Sequence, residues 1–126
     1  ILLIISILSD NQIKEFIEIA NSYNLDCLIE AHSNSEFERA LKIGYPIIGI
    51  NNRNLKTLNI NENNIINLDQ CNFNDFTIVM ESGIKNNNQI SKYNDMGIFN
   101  FLIGESILKS KNINNKIKEL KNEISS

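Results

Sequence analysis

The amino-acid sequence predicts an α/β fold made of five strand–helix units with parallel strands. Five short apolar runs recur at intervals of about 20 to 30 residues, which is the length of a strand–helix repeat. Each run is continuously apolar, as expected for strands that are covered on both faces. Helix-like segments separate the runs, and parallel strands need such crossovers. The runs are Leu2 to Ile5, Leu28-Ile29, Ile47 to Ile50, Thr77 to Met80 and Phe101 to Ile103.

Helix start and stop signals lie between the apolar runs. Ser9 and Gln12 have the spacing of a capping box. Ser33 and Glu36 repeat that spacing before the second helix. Gly44 is the predicted end of the second helix, because glycine tolerates the left-handed conformation that often occurs there. Further helices are predicted over roughly Glu62 to Leu68, Asn87 to Met96 and Asn114 to Ile124, with a short one after Gly104-Glu105-Ser106.

Composition and charge exclude several classes of function. Twelve Lys and Arg against fifteen Asp and Glu give a net charge of −3, so no basic surplus is available for a nucleic-acid backbone. Two Cys and one His are too few for a disulfide framework or a structural metal site, and we expect no cofactor. The opening apolar run is too short for a membrane helix and lacks the features of a signal peptide. We therefore expect a cytoplasmic protein that binds neither nucleic acid nor membrane.

Two architectures fit five strand–helix units. One is a complete five-stranded open sheet, such as a flavodoxin-like regulatory or binding domain. The other is the last five-eighths of a (β/α)₈ barrel, whose full length is typically about 250 residues. The first residue is Ile1 rather than Met, so we interpret the chain as beginning at the cut end of a longer one. In both architectures, ligands bind at the carboxyl ends of the strands.

Polar side chains gather at these predicted strand ends. The ends are Ser6, Glu30, Asn51, Glu81-Ser82-Gly83 and Gly104-Glu105-Ser106. A carboxylate at the rim of a barrel of low dielectric constant can have a raised pKa, which suits proton transfer. The two glycine-containing turns follow the last two strands, where barrel enzymes often bind a phosphate. Arg53, two residues after Asn51, offers a planar fork for a carboxylate or a phosphate.

Five segments with these residues resemble the indole-3-glycerol phosphate synthase family, and the resemblance covers essentially the whole chain. The Ile-Gly-Ile-Asn-Asn-Arg segment, followed at the right spacing by Glu-Ser-Gly-Ile, is the most specific part of it. The resemblance implies that residues 1–126 are the fourth to eighth strand–helix units of a single (β/α)₈ barrel domain. The segments are Leu2-Leu3-Ile4-Ile5, Leu28-Ile29-Glu30, Ile48-Gly49-Ile50-Asn51-Asn52-Arg53-Asn54-Leu55, Glu81-Ser82-Gly83-Ile84 and Phe101-Leu102-Ile103-Gly104-Glu105-Ser106.

The resemblance also implies a reaction and roles for these residues. The family makes indole-3-glycerol phosphate, in tryptophan biosynthesis, from 1-(2-carboxyphenylamino)-1-deoxyribulose 5-phosphate by ring closure and loss of carbon dioxide and water. Glu30 would be the general base, and Asn51 and Glu81 would line the catalytic pocket. Arg53 would lie near the anthranilate carboxylate of the substrate. Backbone N–H groups around Ser82, Gly83, Gly104 and Glu105 would hold the phosphate, with the Glu105 carboxylate pointing away from it.

Part of such an active site would lie outside this chain. In the family, a general-acid lysine stands on the third strand, and a second lysine and a glutamate stand on the first. All of them precede the position that matches Ile1, so we expect N-terminal barrel units to be missing and the 126-residue chain alone to be inactive. His32 has no partner that the sequence reveals, and we expect a loop or supporting role for it. The alternatives are another phosphate-binding barrel enzyme, such as a phosphoribosyl isomerase, and a non-catalytic flavodoxin-like domain.

Overall fold

The computed structural model describes residues 1–53 and 66–122 of the chain. Strands and helices alternate through this part, as the sequence predicts. The strands are β1 (Leu2–Ile4), β2 (Leu28–Ala31), β3 (Ile47–Asn51), β4 (Thr77–Glu81) and β5 (Asn100–Leu102). The helices are α1 (Asp10–Ser22), α2 (Asn34–Ile43), α3 (Asn87–Asp95), α4 (Glu105–Leu108) and α5 (Ile113–Leu120), and a 3₁₀ turn over Ile5–Ile7 follows β1. None of these helices has both the length and the apolar character needed to cross a bilayer.

The five strands form one parallel sheet in the order β1-β2-β3-β4-β5. This order follows the chain without a reversal. Connections between parallel strands are right-handed, so such an order places successive helices on the same face of the sheet. A doubly wound sheet instead reverses its order at a switch point and carries helices on both faces. The predicted α/β fold is confirmed in the form of consecutive (β/α)₈ barrel units, and the flavodoxin-like alternative does not fit the strand order.

Alternate residues of each strand point toward the helices, and we call this side of the sheet the helix-covered face. Ile29, Ile48 and Ile78 are aligned on it in register and are at most 2% exposed. Ile13 of α1 and Phe37 of α2 belong to the same buried cluster. Burial of one such side chain stabilises a fold by about 1.5–3 kcal/mol. The helix-covered face therefore holds the sheet and the helices together.

The remaining residues of each strand lie on the opposite side of the sheet, which we call the open face. Leu2 and Leu102, on the two edge strands, are 47% and 55% exposed there. The expectation that both faces of the strands are covered thus holds for one face only within the described residues. Strand register places Glu30, Asn51 and Glu81 on the open face, at the carboxyl end of the sheet.

Helix-end signals in the sequence are confirmed at the start of α1 and at the end of α2, whereas the Ser33–Glu36 capping box forms only in part. The Ser9 N–H donates to the side chain of Gln12 at 2.9 Å, and the Gln12 N–H donates to Oγ of Ser9 at 3.2 Å. Both halves of the first capping box therefore form. Gly44 ends α2 with a φ of +79°, in the left-handed region that favours glycine.

Some local predictions are wrong, and the first has a tertiary cause. β1 ends at Ile4, so Ser6 lies in the 3₁₀ turn and not at a strand end. The guanidinium of Arg39 donates to the carbonyl oxygens of Ile5 and Leu8 at 2.8 and 2.5 Å, which holds this turn against α2. β5 begins and ends one residue earlier than the predicted run. The helix predicted over roughly Glu62 to Leu68 falls mostly outside the described residues, and residues 66–68 are not helical.

Candidate active site

The open face ends in two buried carboxyl groups, Glu30 of β2 and Glu81 of β4. Each residue is 3% exposed. Their strands are not neighbours, because β3 lies between β2 and β4 in the sheet. Gly49 of β3 pairs in register with Glu30, and a Cβ at Gly49 would collide with Oε1 of Glu81. The missing side chain at Gly49 therefore leaves the space through which the Glu81 carboxyl group extends across β3 toward Glu30.

The environment of these carboxyl groups favours one shared proton. Burial raises the pKa of Glu81 to about 8, and the hydrogen bond with Glu30 and the repulsion of its charge act in the same direction. A hydrogen bond between two carboxyl groups requires a proton on one of them, because two carboxylates are both acceptors. Glu81 therefore keeps a proton near neutral pH and can share it with Glu30 beside it.

His32 lies directly beyond this pair. Its Nε2 atom is 3.0 Å from Oε1 of Glu30, and its Nδ1 atom is 3.5 Å from Oε2 of Glu36. Both contacts are within ion-pair distance, although the ring N–H directions are off the ideal hydrogen-bond line. The sequence does not reveal these partners, because one comes from the preceding strand end and the other from the first turn of α2.

The end of β3 directs Arg53 toward the next two strand ends. Oδ1 of Asn51 accepts a hydrogen bond from the Arg53 backbone N–H at 2.9 Å, which forms a tight Asx-type turn. The Arg53 guanidinium then pairs with the carboxylate of Glu105, at the start of α4. Nζ of Lys109 lies 2.6 Å from the other oxygen of that carboxylate. Lys109 and Arg53 together lower the pKa of Glu105 to about 2, so this exposed carboxylate is ionised and faces two cations.

A pocket of about 310 Å³ lies between the turns that follow β4 and β5. Ser82 and Gly83, in the first turn, have φ angles of 63° and 82°. A left-handed conformation is uncommon for serine and is often found where a backbone is shaped for a ligand. A Cβ at Gly104, in the second turn, would meet no atom within 4 Å among the described residues, so packing alone does not require glycine there.

The structure brings the residues predicted for the site into one region. Six of them line the 310 Å³ pocket: Arg53, Glu81, Ser82, Gly83, Gly104 and Glu105. Glu30 lies beside this group because it interacts with Glu81, and Asn51 lies beside it because its side chain is hydrogen-bonded to the Arg53 backbone. The importance of Gly49 was not predicted, although a glycine inside an apolar strand is a signal of close approach by another group.

The chain matches the indole-3-glycerol phosphate synthase family over residues 1–120. Curated proteins with that name are similar to it. The one from Acetivibrio thermocellus is 42% identical over 121 residues, which are 96% of this chain and 46% of the relative. The one from Endomicrobium trichonymphae is 44% identical over 123 residues, which are 96% of this chain and 47% of the relative. The chain therefore spans about half the length of these relatives.

Proposed function

Because the chain belongs to the indole-3-glycerol phosphate synthase family, we propose that it provides one half of that enzyme's active site. Residues 1–126 would form the fourth to eighth units of a single (β/α)₈ barrel domain, in a carbon–carbon lyase that closes the indole ring and releases carbon dioxide and water. Upstream units of the same polypeptide would complete the barrel by pairing with β1 and β5 and covering the open face. We call this chain joined to those units the complete enzyme.

The observation that carries the proposal is the buried pair of Glu30 and Glu81. Ring formation followed by dehydration needs a base that removes a proton and an acid that protonates a departing oxygen. Glu30 is the base in this proposal. Glu81, whose pKa is raised to about 8 by burial and by Glu30, keeps a proton and can hydrogen-bond either Glu30 or an oxygen of the substrate. The general acid would come from the upstream units.

The neighbouring pocket is the proposed phosphate site. Its volume of about 310 Å³ and its position at the turns after β4 and β5 suit a phosphate group at the mouth of a barrel. Backbone N–H groups of Ser82, Gly83, Gly104 and Glu105 would bind it. The Glu105 carboxylate is engaged by Arg53 and Lys109, so its negative charge beside the pocket is compensated by two cations.

Arg53 is the proposed contact for the anthranilate carboxylate. Only part of its guanidinium is used by Glu105, and the group has five N–H donors in a fixed plane. Its side chain can therefore retain the Glu105 contact and still present donors to a second carboxylate. Asn51 holds the Arg53 backbone and would line the pocket beside it.

Glu30→Gln in the complete enzyme tests the base assignment. The amide keeps the size of the side chain but cannot accept the proton, so we expect kcat to fall by about 10²–10⁴-fold while KM stays close to that of the unmodified enzyme. The measurement is steady-state formation of indole-3-glycerol phosphate. Glu38→Gln, which changes an exposed carboxylate on α2, is the matched control and should leave kcat unchanged. An equal loss in both variants, or none in Glu30→Gln, would refute the assignment.

A further inference from the structure

His32 stands between a buried carboxyl group and the surface. β2 ends at Ala31, and Ser33 caps α2, so His32 is the one residue that links the strand to the helix cap. The exposed fraction of the side chain rises from 3% at Glu30 to 14% at His32 and 24% at Glu36. The three ionisable groups thus form a path from the interior to solvent.

A carboxyl group lies near each nitrogen of the His32 ring, Glu30 at Nε2 and Glu36 at Nδ1. Oε2 of Glu36 accepts a hydrogen bond from the His32 backbone N–H at 2.7 Å and also lies 3.5 Å from Nδ1 of the ring. Glu36 is held in turn, because its own backbone N–H donates to Oγ of Ser33 at 3.3 Å. This use of Glu36 replaces the second half of the predicted capping box, in which its carboxyl group would bond to the Ser33 N–H. The Glu36 carboxyl group therefore contacts His32 instead of completing the helix cap.

A buried base needs a route by which its proton leaves. Glu81 cannot take the proton from Glu30 near neutral pH, because burial and the Glu30 charge raise the pKa of Glu81 to about 8 and it is already protonated. Glu30 and Glu36 face the His32 ring, and Glu81 contacts Glu30 from β4. Among these groups, the imidazole is the one that can accept a proton at one nitrogen and release another from the second.

We propose that His32 is a positioning residue that passes the proton of Glu30 to solvent on the side of Glu36. The inference rests on the proposed role of Glu30 as the base. After Glu30 has taken a proton from the substrate, its carboxyl O–H bond breaks and an N–H bond forms at Nε2 of neutral His32. The N–H bond at Nδ1 then breaks, and that proton leaves by way of Glu36 and water. Glu30 is a carboxylate again, His32 is neutral again, and one proton has moved outward.

His32→Asn in the complete enzyme tests this route, with imidazole in the assay buffer as the second variable. We expect kcat to fall by about tenfold or more with KM changed by less than about twofold, and added imidazole to restore kcat in proportion to its concentration. Glu38→Gln, on the outer surface of α2, should show neither the loss nor the response to imidazole. An unchanged kcat in His32→Asn would overturn the proposal. So would a loss that imidazole leaves in place while thermal unfolding shows the variant to be folded.

Comparison of Glu30→Gln with His32→Asn separates the failure of this route from the failure of the proposed function. If Glu30→Gln keeps full activity, the base assignment itself is wrong and the route has no purpose. If Glu30→Gln is inactive and His32→Asn is fully active, only the route is wrong. Should His32→Asn not fold, His32→Gln carries the same test with a longer side chain that also lacks a titratable ring, and the imidazole response decides in the same way.

Discussion

The two faces of the sheet are built from the same strands but serve different purposes. On the helix-covered face, Ile29, Ile48 and Ile78 are at most 2% exposed and pack against the helices. On the open face, Leu2 and Leu102 are about half exposed, and the buried groups are the two glutamates at the carboxyl end. Because successive residues of a strand point to opposite sides, a residue that packs against the helices can be the direct neighbour in sequence of a residue at the proposed active site.

This separation predicts that the two faces tolerate substitution differently. A substitution on the helix-covered face alters packing against α1 and α2 and leaves the carboxyl groups in place. A substitution on the open face changes the space in which those groups meet. β3 shows the contrast most closely, because Ile48 and Gly49 are adjacent in sequence and lie on opposite faces.

Gly49→Ala should have the larger effect on catalysis. The new Cβ would lie only 1.9 Å from Oε1 of Glu81, so the Glu81 carboxyl group must withdraw from Glu30. We expect kcat of the complete enzyme to fall by about a hundredfold or more, because Glu81 then no longer contacts the base Glu30. Product formation under steady-state conditions measures this effect.

The matched variant on the other face is Ile48→Val. Loss of one methylene group from a residue that is fully buried should lower the free energy of unfolding by about 0.5–1.5 kcal/mol. Urea unfolding measures this loss of stability. Activity should stay near that of the unmodified enzyme, as measured by the same steady-state assay. If Ile48→Val impaired catalysis as strongly as Gly49→Ala, the functional difference between the faces would not exist.

A smaller effect is expected in the pH dependence of stability. The pKa of Glu81 is raised to about 8 in the folded state, so between the ordinary value of a glutamate and about 8 the folded protein binds more protons than the unfolded one. The free energy of unfolding should therefore decrease as the pH rises through this range, with a slope from this group of at most about 1.4 kcal/mol per pH unit. Urea unfolding of the complete enzyme at several pH values between 5 and 8 measures the slope, and Glu81→Gln should remove most of it.

Glu105→Gln serves as the control for that measurement. Lys109 and Arg53 lower the pKa of Glu105 to about 2, so its contribution is present above the ordinary pKa of a glutamate and is lost only as the pH falls toward 2. The slope between pH 5 and 8 should be the same with and without Glu105. A slope that survives in Glu81→Gln would show that another group causes it.

The sequence predicts most of the fold because most of the fold depends on local signals. The Ser9 and Gln12 capping box and the Gly44 helix end involve residues close together in the chain, and both form as predicted. The end of β1 could not be predicted in the same way. It depends on Arg39, which lies 34 residues after Ile5 and binds its carbonyl oxygen.

The composition of the candidate site could be predicted, but the contacts within it could not. Strand ends identified Glu30 and Glu81, since parallel strands bring their carboxyl ends to one edge of the sheet. Their contact depends on strand register and on the absence of a side chain at Gly49. The partners of His32 depend on how the first turn of α2 meets β2. The catalytic and binding roles of the site residues stay predictions until the variants are measured.

The most direct test of the central proposal is an assay of indole-3-glycerol phosphate formation by the purified 126-residue chain, beside the same chain co-expressed with its upstream units. We expect no detectable product from the chain alone, because the general acid would come from the upstream units, and activity once those units are present. Product formation by the chain alone would contradict the proposal that it holds only the base and the phosphate side of the active site.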